Sequence, residues 1–145
     1  MFGNAVILIN LVHKTRNALY VNPLYLQMNI SEKFIEIKDY FSPKIIGEIN
    51  DVFIKLVKIK GEKIPWHNHK NEDEFFYVIE GSLHFEIEGE ESFIMNEGDI
   101  FTVKKGANHR VSSDKECKIM LIENKTTTHT GDVKSEITKS IADQK

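Results

Sequence analysis

One cysteine in 145 residues, Cys117, leaves no internal disulfide to staple the chain and suits a reducing compartment such as the cytoplasm. An excess of one charge is missing too. With 19 Lys+Arg against 22 Asp+Glu, the formal net charge is −3, and lysines alternate with acids along the chain. That balance gives no electrostatic footprint for nucleic acid or an anionic membrane surface. No apolar run approaches the roughly 20 residues of a membrane-spanning helix. The stretch AVILINLV, Ala5–Val12, has no basic residue before it and no small-residue cleavage site after it, so it does not read as a signal peptide. Two readings of residues 1–27 are open: an edge strand, paired at home or swapped between subunits, or an extension ahead of a domain that begins at Met28. Internal repeats, low-complexity tracts and Pro/Ser-rich linkers are also lacking. What remains, 41% apolar and 28% charged, is the composition of one soluble globular domain able to bury its own core.

The middle of the chain reads as short strands between turns, the pattern of an all-β sandwich or barrel. VFIKLVKIK at Val52–Lys60 is β-branched and partly alternating, and Phe75–Ile79 is continuously apolar. Leu83, Phe85 and Ile87 share one face of LHFEIE. Ser92–Met95, Asp99–Val103, His109–Ser112 and Lys118–Glu123 continue the series. Helix signals are weak: SEKFIEIKDYF from Ser31 is rich in β-branching, and SEITKSIADQK from Ser135 supports one or two turns. Residues 28–125 thus form the expected barrel and 126–145 a polar tail.

The chemistry concentrates in WHNHKNEDEFFYVIEG, Trp66–Gly81. If Ile64–His69 is extended, His67 and His69 project to one face and can converge on a point. The turn Lys70–Asp73 then reverses the chain and Glu74 opens the next strand. His109, just after Gly106, starts a later strand. Three imidazoles and one carboxylate form a mixed N/O set suited to one divalent transition metal, Fe, Mn, Co, Ni, Cu or Zn. Glu72 and Asp73 are rival carboxylates. Glu74 is preferred because it is in phase with the apolar strand and has six residues between it and Gly81.

The spacing resembles the two sequence motifs of the cupin superfamily. GEKIPWHNHKNEDEFFYVIEG matches every fixed position of the first: glycine, five residues, His-x-His, four residues, glutamate, six residues, glycine. GDIFTVKKGANHRVSS matches the second except that Lys104 replaces the usual proline and Ser113 the usual asparagine. Without proline's fixed φ, the turn before Gly106 is expected to be less rigid. The resemblance spans roughly Lys44–Glu123. It implies a small double-stranded β-helix, or jelly-roll barrel, with short N- and C-terminal extensions. It also implies a metal held by His67, His69, Glu74 and His109, and a metal-dependent enzyme, of dioxygenase, isomerase or epimerase type, acting on a small organic molecule. A non-catalytic ligand-binding or sensing module on the same barrel is the alternative.

Alternation places Phe76, Val78 and Phe85 in the expected pocket wall. Lys55, in phase with Phe53, Val57 and Ile59, is expected to point inward, where it would meet an anionic substrate. Phe75, Tyr77 and Ile79 face the other way, toward a second sheet or a partner, and a homodimer is expected. Cys117 reads as a small core residue, His84 as a surface histidine, and His13 and His129 as solvated.

Overall fold

The computed structural model describes residues 27–145, so Ala5–Val12 and His13 lie outside the described residues. Within them, one short helix α1 (Ile30–Glu36) precedes seven strands: β1 (Lys44–Ile49), β2 (Val52–Gly61), β3 (Glu74–Glu80), β4 (Ser82–Ile87), β5 (Phe93–Asn96), β6 (Ile100–Val103) and β7 (His109–Asn124). The chain ends in a single 3₁₀ turn, Ala142–Gln144. No helix among the described residues is long and apolar enough to cross a membrane.

Every strand pair is antiparallel, and the order β1-β2-β7-β3-β6 forms one sheet. The second sheet, β5-β4-β7, shares β7 with the first. β7 is therefore the hinge of the barrel. The stretches His109–Ser112 and Lys118–Glu123, which look separate in sequence, are two ends of this one strand, joined through exposed Asp114–Glu116. Its first four residues pair with β4; after a register shift between Ile59 and Gly61 of β2, the rest pairs with β2 and β3. The β3–β4 turn sits against this corner. A Cβ at Gly81, where φ is +86°, would lie 2.8 Å from the Glu116 carbonyl oxygen, so only glycine fits there.

Two-residue periodicity sorts the strands as expected. Glu74, Phe76 and Val78 of β3 and Phe53, Lys55, Val57 and Ile59 of β2 are buried toward the barrel interior. Phe76, Phe85, Phe93 and Phe101 form an aromatic cluster with ring centroids 5.0–5.3 Å apart. Each such pair adds about 0.5–1.5 kcal/mol beyond burial. On the outer face, Leu56, Ile79 and Met120 are covered by Phe34 and Ile37 of the α1 region. The cover over this face is thus the chain's own helix. That helix is capped at Asn29, two residues before Ser31: the Asn29 side chain accepts the Glu32 N–H.

Candidate metal centre

His67 and His109 are set opposite each other by the backbone. The His67 N–H donates to the His109 carbonyl at 3.1 Å and the His109 N–H to the His67 carbonyl at 2.9 Å. Directly opposed residues of an antiparallel pair point to the same side, and the two rings lie with centroids 4.4 Å apart. His69 joins them from the same face as His67, and its carbonyl accepts the Gly106 N–H at 2.7 Å, tying the two motif loops together. Phe85 stacks at 6.0 Å on the His109 ring, and Phe76 meets it edge-on at 6.2 Å. Glu74, first residue of β3, closes the group, and one donor atom from each of the four lies within 4.8 Å of the others. All four side chains are buried.

The hydrogen bonds define what this cluster can hold. His67 Nδ1 donates to the Pro65 carbonyl at 2.9 Å and His109 Nδ1 to the Ala107 carbonyl at 3.0 Å. In neutral rings this leaves a lone pair on each Nε2. Yet His109 Nε2 lies 3.2 Å from Glu74 Oε2. A lone pair and a carboxylate at that distance repel unless a cation, proton or metal, is shared between them. His69 Nε2 is equally close to Oε2, 3.2 Å, but off the direction of a hydrogen bond, and it has no partner. Two ligands about 2.1 Å from one ion, at tetrahedral or octahedral angles, stand about 3.0–3.4 Å apart. The residues therefore fit a divalent transition metal, and the engaged Nδ1 atoms are the outer hydrogen bonds such ligands use to fix ring orientation.

Charge follows the same logic. Burial pushes the His67 pKa down, to about 4, with the neighbouring His109 adding to the effect. For Glu74 burial acts upward, but the closeness of the His109 and His69 imidazoles outweighs it and holds the carboxyl well below the usual range. At His69 burial is offset by Glu74, which leaves its pKa raised. With His67 unprotonated and Glu74 ionised, two of the four groups are already in the form that binds a cation at neutral pH.

The rival carboxylates are occupied elsewhere. Glu72 accepts from Thr126 Oγ1 at 2.7 Å. Asp73 accepts from Lys104 Nζ at 2.8 Å and from the Lys105 backbone N–H at 2.9 Å. Lys104 stands where the second motif usually has proline, so the turn before Gly106 is pinned through Asp73 instead of by a fixed φ. The side-chain bridge is exposed and contributes little; the backbone bond holds the turn.

Of the expected pocket residues, the structure places Phe76 on the cavity beside the cluster, together with His67, Glu74 and His109. Val78 and Phe85, both fully buried, belong to the core below and do not line it. Lys55 does point inward, but its ammonium is paired with Glu123 and so is not offered to an anionic substrate. Glu123 is the direct cross-strand neighbour of Glu74. Its pKa is raised, by burial first and by the charge of Glu74 second, against the pull of Lys55. This pair was not singled out from the sequence, although Cys117, Ile119, Leu121 and Glu123 share one phase and the signal was there. Cys117 is a core residue whose thiol burial pushes up to about 12, so it is no nucleophile. His84 is half-buried at Ser112, away from the cluster.

His129 corrects the reading of a solvated tail. It is buried, 8% exposed, and lines the cavity with His67, Glu74 and His109. Residues after β7 do not trail into solvent but fold back over the barrel, burying Thr127, Thr130 and Gln144 almost completely. As it stands the cavity has about 20 Å³ of space open to water, room for about one water molecule.

An antiparallel barrel with three imidazoles and one glutamate converging at its interior defines a small β-barrel protein with a candidate metal centre. The sequence profile of the cupin domain matches residues 56–123, and the chain belongs to the cupin superfamily. It is 33% identical over 78 residues to uncharacterized protein YdbB of Bacillus subtilis, covering 54% of this chain and 68% of that protein. Among solved structures it is similar to a cupin-2 domain containing protein from Shewanella frigidimarina, at 37% identity and a TM-score of 0.65, covering 68% of this chain and 94% of the other. Protein NMB1881 from Neisseria meningitidis is similar at 29% identity and a TM-score of 0.62, covering 68% and 99%.

Proposed function

We propose that this cupin binds one divalent transition metal through His67, His69, Glu74 and His109 and acts as a metal-dependent enzyme on a small organic molecule. The observation that carries the reading is the set of inward ring nitrogens, two with Nδ1 already committed and one without any partner, gathered around one ionised carboxylate. A divalent ion held by these four residues would supply Lewis-acid or redox chemistry at the positions they leave open. The chain's own part is to fix the ligands. Pro65 and Ala107 orient two imidazoles, Phe85 and Phe76 hold the His109 ring, and the apolar cavity keeps bulk water away. Dioxygenase and isomerase chemistry both suit such an open site, and the fold alone does not choose between them.

The test is elemental analysis of protein purified without chelator or a nickel column. Wild type is expected to hold about one divalent ion per chain, and His69→Ala and His109→Ala to lose it while keeping a folded barrel. Full occupancy in either variant contradicts this ligand set. Substrate-dependent oxygen uptake by the iron-loaded protein then supports the oxygenase branch, whereas ligand binding indifferent to metal removal points to a non-catalytic module.

A further inference from the structure

We propose that His129, carried by the C-terminal segment, positions an oxygen-bearing ligand in the cavity beside the metal. The inference rests on the metal reading above and adds to it a residue from outside both cupin motifs.

The segment is built onto the site. Asn68, between the ligands His67 and His69, donates its backbone N–H to Asp132 Oδ1 at 3.1 Å and its side-chain amide to Oδ2 at 3.0 Å. The Asp132 N–H returns a bond to the Asn68 carbonyl at 3.1 Å. Gly131 lies so close to this carbonyl that a Cβ there would stand 2.1 Å from it and 3.2 Å from the His67 ring. Farther back, the Lys125 N–H donates to the Asp51 carbonyl at 2.8 Å. These contacts deliver His129 to the cavity wall. Its Nδ1 accepts the Lys139 backbone N–H at 3.0 Å, so the neutral ring carries its proton on Nε2. Burial favours that neutral form.

The surroundings define the ligand's chemistry. Val57, Ile59, Ile64 and Phe76 supply an apolar wall. Lys55 and Glu123 offset each other's charge, so a divalent ion with Glu74 leaves a net single positive charge for the ligand to meet. A metal that accepts an oxygen lone pair and an Nε2–H that donates to a second lone pair call for a carboxylate, enolate or carbonyl on a small apolar body. Because the cavity as it stands has room for about one water, the smallest members of that class are the ones to test.

The full-length protein is loaded with cobalt(II) and titrated with formate, the smallest carboxylate, while the visible spectrum and the cobalt content are read. His129→Asn keeps an acceptor for the Lys139 N–H but withdraws the donor at the position of Nε2; His129→Gln restores a donor at that reach. The expected result is unchanged cobalt stoichiometry in all three proteins, formate affinity lowered roughly tenfold in His129→Asn, and most of it regained in His129→Gln. Equal formate affinity in wild type and His129→Asn, or no recovery in His129→Gln, overturns the role of His129 and leaves the metal centre standing. Failure of wild type to take up cobalt overturns the metal reading and this inference together.

Discussion

Gly131→Ala is the sharpest test of how the C-terminal segment is seated. The residue has φ of +54°, where an alanine costs about 1–2 kcal/mol. The larger problem is steric. The new Cβ would stand 2.1 Å from the Asn68 carbonyl oxygen and 2.8 Å from its carbon, both of them backbone atoms that no rotamer change can move away. Relief requires the segment to lift by more than an ångström, which breaks the Asp132 N–H bond to Asn68, itself about 0.5–1.5 kcal/mol. Strain of this overpacked kind adds about 1–3 kcal/mol. A local loss of about 3–6 kcal/mol follows, equivalent to roughly two to four orders of magnitude in the opening equilibrium. Amide hydrogen exchange reads it directly: protection across residues 126–145 should collapse while amides of β2 and β4 keep theirs. Gly131→Asn separates the two causes. Asparagine tolerates positive φ, so near-wild-type protection in that variant would show that backbone angle alone matters and would refute the close-approach argument. Unchanged protection in Gly131→Ala would refute the seating altogether.

Two further outcomes follow from the buried charges. Lys55→Met should destabilise the fold by about 3–5 kcal/mol in urea unfolding at pH 7, because it strands Glu123. Adding Glu123→Leu should return most of that, and equal losses in the single and double variants would show the pair is not coupled. The pH dependence of His129 has a definite sign. Its pKa is lowered to about 4 from an ordinary 6.5, so its neutral burial contributes fully above pH 6.5 and is lost as pH falls toward 4. In metal-free protein, the stability of wild type relative to His129→Asn should therefore shrink over that window, by about 3 kcal/mol at most. A difference that is flat with pH would mean that His129 is not buried.

Much of the centre was legible because its geometry is local. His67 and His69 are two apart on an extended segment, and Glu74 opens the strand after one turn, so phase alone aligns them. His109 needed the second motif, since only the backbone pairing with His67 brings it across the barrel. Lys55 was readable as inward by alternation, but not its partner's identity, which depends on the register of β2, β7 and β3. Strand β1 was missed because KIIGEI, interrupted by Gly47, shows no clean alternation and none of its residues is fully buried. The continuity of β7 was hidden by DKE at 114–116, which reads as a loop yet forms an exposed corner where one strand changes sheets.

The C-terminal segment was misread for a different reason, and it bears on how polar runs should be judged. Residues 126–145 read as a polar tail, and His129 as solvated, because the run NKTTTHTGD at 124–132 is hydrophilic. Irregular backbone laid against a barrel, however, has no ladder to satisfy its N–H and C=O groups, and each one left buried without a partner is costly. Hydroxyl side chains supply what the ladder would. Thr128 Oγ1 donates to the Gly131 carbonyl at 2.6 Å, Thr138 Oγ1 accepts the Ser135 N–H at 2.8 Å, and Thr130 and Thr138 bond each other at 2.6 Å. Ile137, packed on the main core, anchors the arrangement. Here Thr128 and Thr130 meet hydrogen-bonding demand inside a packed loop, while Thr127 is buried with its hydroxyl unpartnered. A histidine within such a run is therefore better placed to serve a buried site than its neighbours' polarity suggests.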